Sequence, residues 1–174
     1  MSSSTGHQKL FGKHRGVVLN NVDPMQQGRL QVKVLGIGWD ISTTWAIPCV
    51  PIAGIQNGML ALPIIGSSVW VEFEQGNPDY PIWVGCFWGS AAELPALALA
   101  TPPGIPAITL QTPLQNGLTI SDMPGPAGGI TLKSAAGATV IVNDMGIYIQ
   151  NGKGAVITLI GPTVSIDNGA LTVV

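Results

Sequence analysis

Charge is scarce in this 174-residue chain. It carries seven basic and nine acidic residues, 9% of the sequence, against roughly 25% in an ordinary soluble domain. At a net charge of −2, no bulk attraction draws it to nucleic acid or anionic lipid. Disorder is excluded as well, since it needs high charge with low hydrophobicity, and 46% of the residues are apolar. Uninterrupted apolar helices are also missing. The two longest uncharged stretches, 41–71 and 94–121, are broken by three and five prolines, and no membrane-spanning helix survives that. Residues 1–10 contain no apolar segment of signal-peptide type. Cysteine and histidine occur twice each. Cys49 and Cys86 sit in apolar runs and read as buried free thiols made in a reducing cytosol, with a disulfide as the alternative. His7 and His14 lie far from any nucleophile motif, so no Ser–His–acid set is expected. Glu72 and Glu74 fall on one face of a strand, a spacing commoner on a solvated face than in a cleft. No catalytic, metal or cofactor site is expected.

What is present is strand grammar of two kinds. Ten charges, five of each sign, fall in residues 1–90, and six in the rest. The shift coincides with an Ala/Pro-rich stretch, 93–106, in which 95–100 can form a short helix. Before it, Leu30, Val32 and Val34 alternate with Gln31 and Lys33. Val69, Val71 and Phe73 alternate with Trp70, Glu72 and Glu74, and Ile82, Val84 and Cys86 with Trp83, Gly85 and Phe87. Period two marks strands. With 15–20 and 45–51, five strands follow one another before the stretch begins, the pattern of a small barrel.

After the stretch comes a repeat. Ile130-Thr-Leu132, Ile147-Tyr-Ile149 and Val164-Ser-Ile166 recur at a constant interval, and Val140-Ile-Val142 and Ile157-Thr-Leu159 keep the same offset. Asn151-Gly152 is echoed by Asn168-Gly169, and a last copy, 169–173, arrives two positions early. Two short strands and two turns per unit suggest a β-helix or solenoid. Nothing in the chain can cover such a ribbon, and a bare edge and apolar face are both costly. Three copies around a threefold axis would bury Ile130, Leu132, Val140, Val142, Ile147, Ile149, Ile157, Leu159, Val164 and Ile166 as a shared core.

The run from Gly66 through Val69-Trp-Val71-Glu-Phe73 to Gly76-Asn-Pro78-Asp-Tyr-Pro81 and Gly85 resembles the signature of the phage baseplate protein V and VgrG spike family. Val22-Asp-Pro24, Gly28-Arg-Leu30-Gln-Val32-Lys-Val34 and Trp45-Ala46 through Leu62-Pro63 to Gly66 fit the segments before it. The likeness spans 13–89, and 116–174 resembles the family's triple-stranded β-helix. It implies an all-β fold: an N-terminal arm over 1–12, an OB-fold barrel over 13–90, a linker over 91–115, and a trimeric intertwined β-helical needle starting near 106 or 116 and taken as 116–174. At about 4.8 Å per strand, six or seven strands make a needle of about 30 Å.

The function implied is that of the homotrimeric central spike of a contractile injection machine, assembled in the producing cell's cytoplasm into a phage tail or phage-tail-like particle. Only the short arm precedes the barrel, which points to a separate hub protein, with Lys9, Lys13 and Arg15 as its contacts. The chain ends on Leu171, Val173 and Val174, with no His-x-His tip site. Those residues are therefore expected to dock a PAAR-type tip protein, and the target envelope is met transiently. The competing reading is an OB-fold binder of single-stranded nucleic acid, with Trp39, Trp45, Trp70, Trp83 and Trp88 as a stacking platform. The balanced charges of the barrel argue against nucleic acid, and the tryptophans read as barrel filling or seams between protomers.

Overall fold

The computed structural model describes residues 9–36 and 44–173; residues 1–8 of the arm, His7 among them, and Trp39 and Val174 lie outside the described residues. The chain divides into two compact units, Met1–Gly89 and Ser90–Val174. Among the described residues, no helix is long and apolar enough to cross a membrane.

The first unit is a closed barrel of five strands. They are β1 (His14–Asn20), β2 (Leu30–Val34), β3 (Trp45–Pro48), β6 (Ser68–Phe73) and β7 (Pro81–Cys86), and a small hairpin, β4 (Ala53–Gly54) and β5 (Asn57–Gly58), lies between β3 and β6. The barrel order is β1-β2-β3-β7-β6, closed by the β1–β6 pair, and only β3 and β7 run parallel. Alternation decides what fills it. Leu30, Val32 and Val34 from β2 and Val69, Val71 and Phe73 from β6 are buried, with Val18 and Ala46.

β7 departs from the sequence reading. Pro81 and Trp83 are its buried residues, while Ile82 and Val84 are half-buried and Cys86 exposed. Both faces of this strand are apolar, so alternation alone names no inside. Pairing does: Trp83 faces the buried Val71 across a bulge between Trp70 and Val71. Its indole Nε1 donates to the Gly28 carbonyl at 3.1 Å. Cys49 and Cys86 are both free and both exposed, which corrects the expectation of buried thiols. One follows the end of β3 and the other ends β7, so both reach the barrel rim. Residual burial still pushes the Cys86 thiol pKa up.

The turn into β2 is organised by one carboxylate. Asp23 accepts the backbone N–H groups of Met25, Gln27 and Arg29 and the Arg29 guanidinium at 2.6 Å. Arg29 in turn lies 5.5 Å from the centre of the Trp45 ring. The Arg29 hydrogen bond, helped by the three backbone donors, holds the Asp23 carboxyl well below the usual carboxylate range.

The second unit opens with a one-turn helix, α1 (Ala96–Leu99), inside the short helix foreseen for 95–100. Eight strands follow: β8 (Ala107–Gln111), β9 (Gly117–Ser121), β10 (Gly129–Lys133), β11 (Thr139–Asn143), β12 (Gly146–Gln150), β13 (Val156–Ile160), β14 (Thr163–Ile166) and β15 (Leu171–Val173). Each pairs antiparallel with the next, in a single meander. The ladder therefore forms within one chain. β8 lies inside the stretch 91–115 read as linker, so the sheet begins at Ala107.

β10, β12 and β14 start at Gly129, Gly146 and Thr163, the constant interval that the repeat requires. One margin carries two-residue turns, Asp144-Met145 and Gly161-Pro162; the other carries longer ones such as 134–138 and 151–155. Asn143 Oδ1 caps the short turn by accepting from Met145 and Gly146 N–H. Asn151 Oδ1 does the same for Lys153 and Ala155. Gly129 and Gly146 occupy equivalent places, where a Cβ would collide with the carbonyl oxygen of Val142 or Leu159. Only glycine lets those strands approach.

Every buried apolar side chain among the described residues belongs to the barrel unit. The eight-stranded sheet has no core of its own.

Asp23→Asn is expected to lower the melting temperature at neutral pH, read by circular dichroism. A depressed folded-state pKa stabilises fully above the unfolded value, near 3.8, and less as pH falls through the folded one. The gap between wild type and variant should therefore narrow progressively below about pH 4; a gap as wide at about pH 2 as at neutral pH contradicts the ion pair as its source.

Candidate functional site

Side chains two apart along a strand share a face, and so do directly paired residues. Applied to the meander, this rule yields two unbroken columns. One runs Ile108, Ile120, Ile130, Val142, Ile147, Leu159, Val164, Val173. The other runs Leu110, Leu118, Leu132, Val140, Ile149, Ile157, Ile166, Leu171. All sixteen are Ile, Leu or Val and lie on the same face. Eleven of them are 37% to 62% exposed, and the other five are half-buried. The opposite face carries Thr109, Thr119, Thr131, Thr158 and Ser165 along its midline, interrupted by Ile141 and Tyr148. Leu97 of α1 stands over Gly117 on that polar side, and the Leu97 N–H donates to Gln111 Oε1.

Full burial of an exposed Val, Leu or Ile is favourable by about 1.5–3 kcal/mol. Sixteen partly covered residues then leave on the order of 10–20 kcal/mol per chain unrealised. Two shallow concavities of about 550 and 300 Å³ adjoin the longer turns, the first including Leu132, Val140 and Ile149 and the second Ile157 and Ile166. Neither column contains a titratable group. The arrangement is therefore a contact surface, suited to another flat apolar surface.

All ten residues expected as needle core lie in these columns. Four more, Ile108, Leu110, Leu118 and Ile120, were hidden from the repeat. The 122–128 connection is longer than the Asp144-Met145 turn that takes its place one repeat later. The step from Ala107 to Gly129, where β8 and β10 start, therefore exceeds the step from Gly129 to Gly146. Leu171 and Val173, expected to meet a tip protein, end the two columns: β15 is the sheet's last strand, and its side chains join the shared face.

On the barrel, the residues expected at a hub contact already have partners. Lys13 Nζ bonds Glu72 Oε1 at 2.6 Å, Lys9 Nζ donates to the Gln75 carbonyl at 3.2 Å, and the Arg15 guanidinium lies over the Trp70 and Phe87 rings at 5.7 and 5.3 Å. Glu74 belongs to a 3-10 turn beyond β6, so Glu72 and Glu74 do not form the strand-face pair suggested by spacing. His14 is half-buried, its ring edge against Phe73 at 5.5 Å. Of the tryptophans, Trp83 fills the barrel, Trp45 stacks with Arg29 and Trp70 tilts against Phe87. Sequence alternation did not reveal the Asp23 network. Its only signal was an Asp-Pro turn with an arginine shortly after it.

Comparison with known proteins places both units. Residues 14–88 match the type VI secretion system/phage-baseplate injector OB domain. Residues 107–172 match the phage baseplate V C-terminal trimerisation domain, the segment that carries the apolar columns. No curated protein matches the chain. The two domains occur in order and between them account for most of the sequence, and the chain belongs to the phage baseplate V family.

Proposed function

We propose that the protein is the homotrimeric central spike of a contractile injection machine: a phage tail, tailocin, extracellular injection system or type VI-like apparatus. The observation that carries this reading is the pair of apolar columns on a sheet without a core, in a domain whose family trimerises. Three such sheets, apolar faces inward, make a triangular β-helical prism. Its interior is dry and its Thr-bearing faces turn outward. Seven spacings of about 4.8 Å separate β8 from β15, so the prism is about 34 Å tall.

The role is mechanical. Thrust from a contracting sheath reaches the barrel through a hub, which Lys9, Lys13 and Arg15 help to engage. Compression then runs down continuous intrachain ladders to the envelope of the target cell. Side chains interlocked along the axis resist the sliding of one sheet past another, because any slip would expose apolar surface in three places at once. Leu171 and Val173 of β15, together with Val174, are the proposed platform for a PAAR-type tip protein. The protein is thus a structural part rather than an enzyme, and the particle, assembled in the producing cell's cytoplasm, is its place of work.

Two adjacent residues of β13 test the prism. Ile157→Asp puts three carboxylates into the interior, where unpaired charges cost several kcal/mol each; light scattering should show loss of the trimer at micromolar concentration. Thr158→Asp, on the opposite face, should remain trimeric. Equal behaviour of the two variants would contradict the inward assignment. For the nucleic-acid alternative, single-stranded DNA at low salt is expected to run unshifted in a gel, and tight, salt-sensitive binding would overturn the spike reading.

A further inference from the structure

The barrel unit has an unpartnered surface of its own. No charged residue occurs between Asp40 and Glu72. Within that span the β4–β5 hairpin projects with both strands exposed, and Ile55 at its tip is 99% exposed. The hairpin is anchored. Met59 N–H donates to the Ile52 carbonyl at 3.0 Å, Leu60 packs against Gly28, and Asn21 Nδ2 donates to the Pro63 carbonyl at 2.9 Å. At the base of the projection lies an apolar groove of about 460 Å³, lined by Val50, Pro51, Met59 and Val84 with Cys49 and Cys86. An exposed Ile55 knob and an apolar groove at its base are thus two distinct surfaces of one barrel.

Such a pair fits a head-to-tail contact, which closes into a ring when copies are related by a threefold rotation. The family's trimerisation domain supplies that symmetry, and tethering holds the barrels at high local concentration. A charged partner surface would find no counter-charge in this span. A second copy of the same barrel supplies matching apolar chemistry.

We propose that the barrels make a second trimer contact, in which the Ile55 hairpin of one copy seats in the Cys49–Cys86 groove of the next. The inference rests on the threefold assembly proposed above and adds a contact independent of the sheet.

The two free thiols report on it directly. The full chain is treated with N-ethylmaleimide at neutral pH, labelling of Cys49 and Cys86 is followed by mass spectrometry, and mass is measured in parallel by light scattering. Both thiols should react at least tenfold more slowly in the wild-type trimer than in Ile55→Asp, itself still trimeric through its sheet. Equal rates in two trimeric proteins would overturn the proposal and leave the groove to a different partner. A monomeric wild type would instead overturn the threefold assembly. Should Ile55→Asp fail to fold, Ile55→Cys gives the answer. Oxidation should link chains through Cys49 or Cys86 into two- and three-chain species on a non-reducing gel, and a single-chain band alone would contradict the contact.

Discussion

The whole structure depends on removing one apolar face from water. Eight consecutive strands present sixteen Ile, Leu and Val side chains in two in-register columns, and no other described element of the chain covers them. A soluble monomer rarely exposes a contiguous apolar surface of this extent. The shortage of charge follows from the same constraint, since a chain that spends much of its surface on copies of itself has little need for solvating groups. The glycines have a related origin, because the strands meet at margins too tight for a Cβ at Gly129 and Gly146.

The two units solve burial differently. The barrel closes on itself, removes its edges and fills with its own Val, Leu and Trp83 side chains. The sheet keeps its backbone ladder private but leaves its side-chain interior to be completed by neighbours. Hydrogen bonds run along the chain from strand to strand, while the apolar face is left for other chains of the trimer. Asp23, bonded by three backbone N–H groups and Arg29, fixes the turn into β2.

Much of this was legible in the sequence, and the failures have physical reasons. Period-two alternation located β2 and β6 and the faces they bury, because one set in each is apolar and the other largely polar. It failed on β7, where both sets are apolar and only pairing with Val71 puts Trp83 inside. The repeat located β10 to β14 because their turns recur with constant length. A single longer connection, 122–128, broke the period and hid β8 and β9 although Ile108, Leu110, Leu118 and Ile120 alternate as regularly as the rest. Cys49 and Cys86 looked buried because their neighbours are apolar. Their places just beyond β3 and at the end of β7 expose them, a fact of topology that composition does not carry. The spacing of Glu72 and Glu74 implied a shared face only if the strand continued, and it ends at Phe73.

The central claim is that the C-terminal sheet has no stable existence outside the trimer. Sedimentation equilibrium and far-ultraviolet circular dichroism on one dilution series of the full chain test it together. The account predicts a particle three times the mass of the 18.0 kDa chain, and loss of sheet signal in step with loss of the trimer while the barrel's signal remains. A monomer that retains the full sheet signal would contradict it.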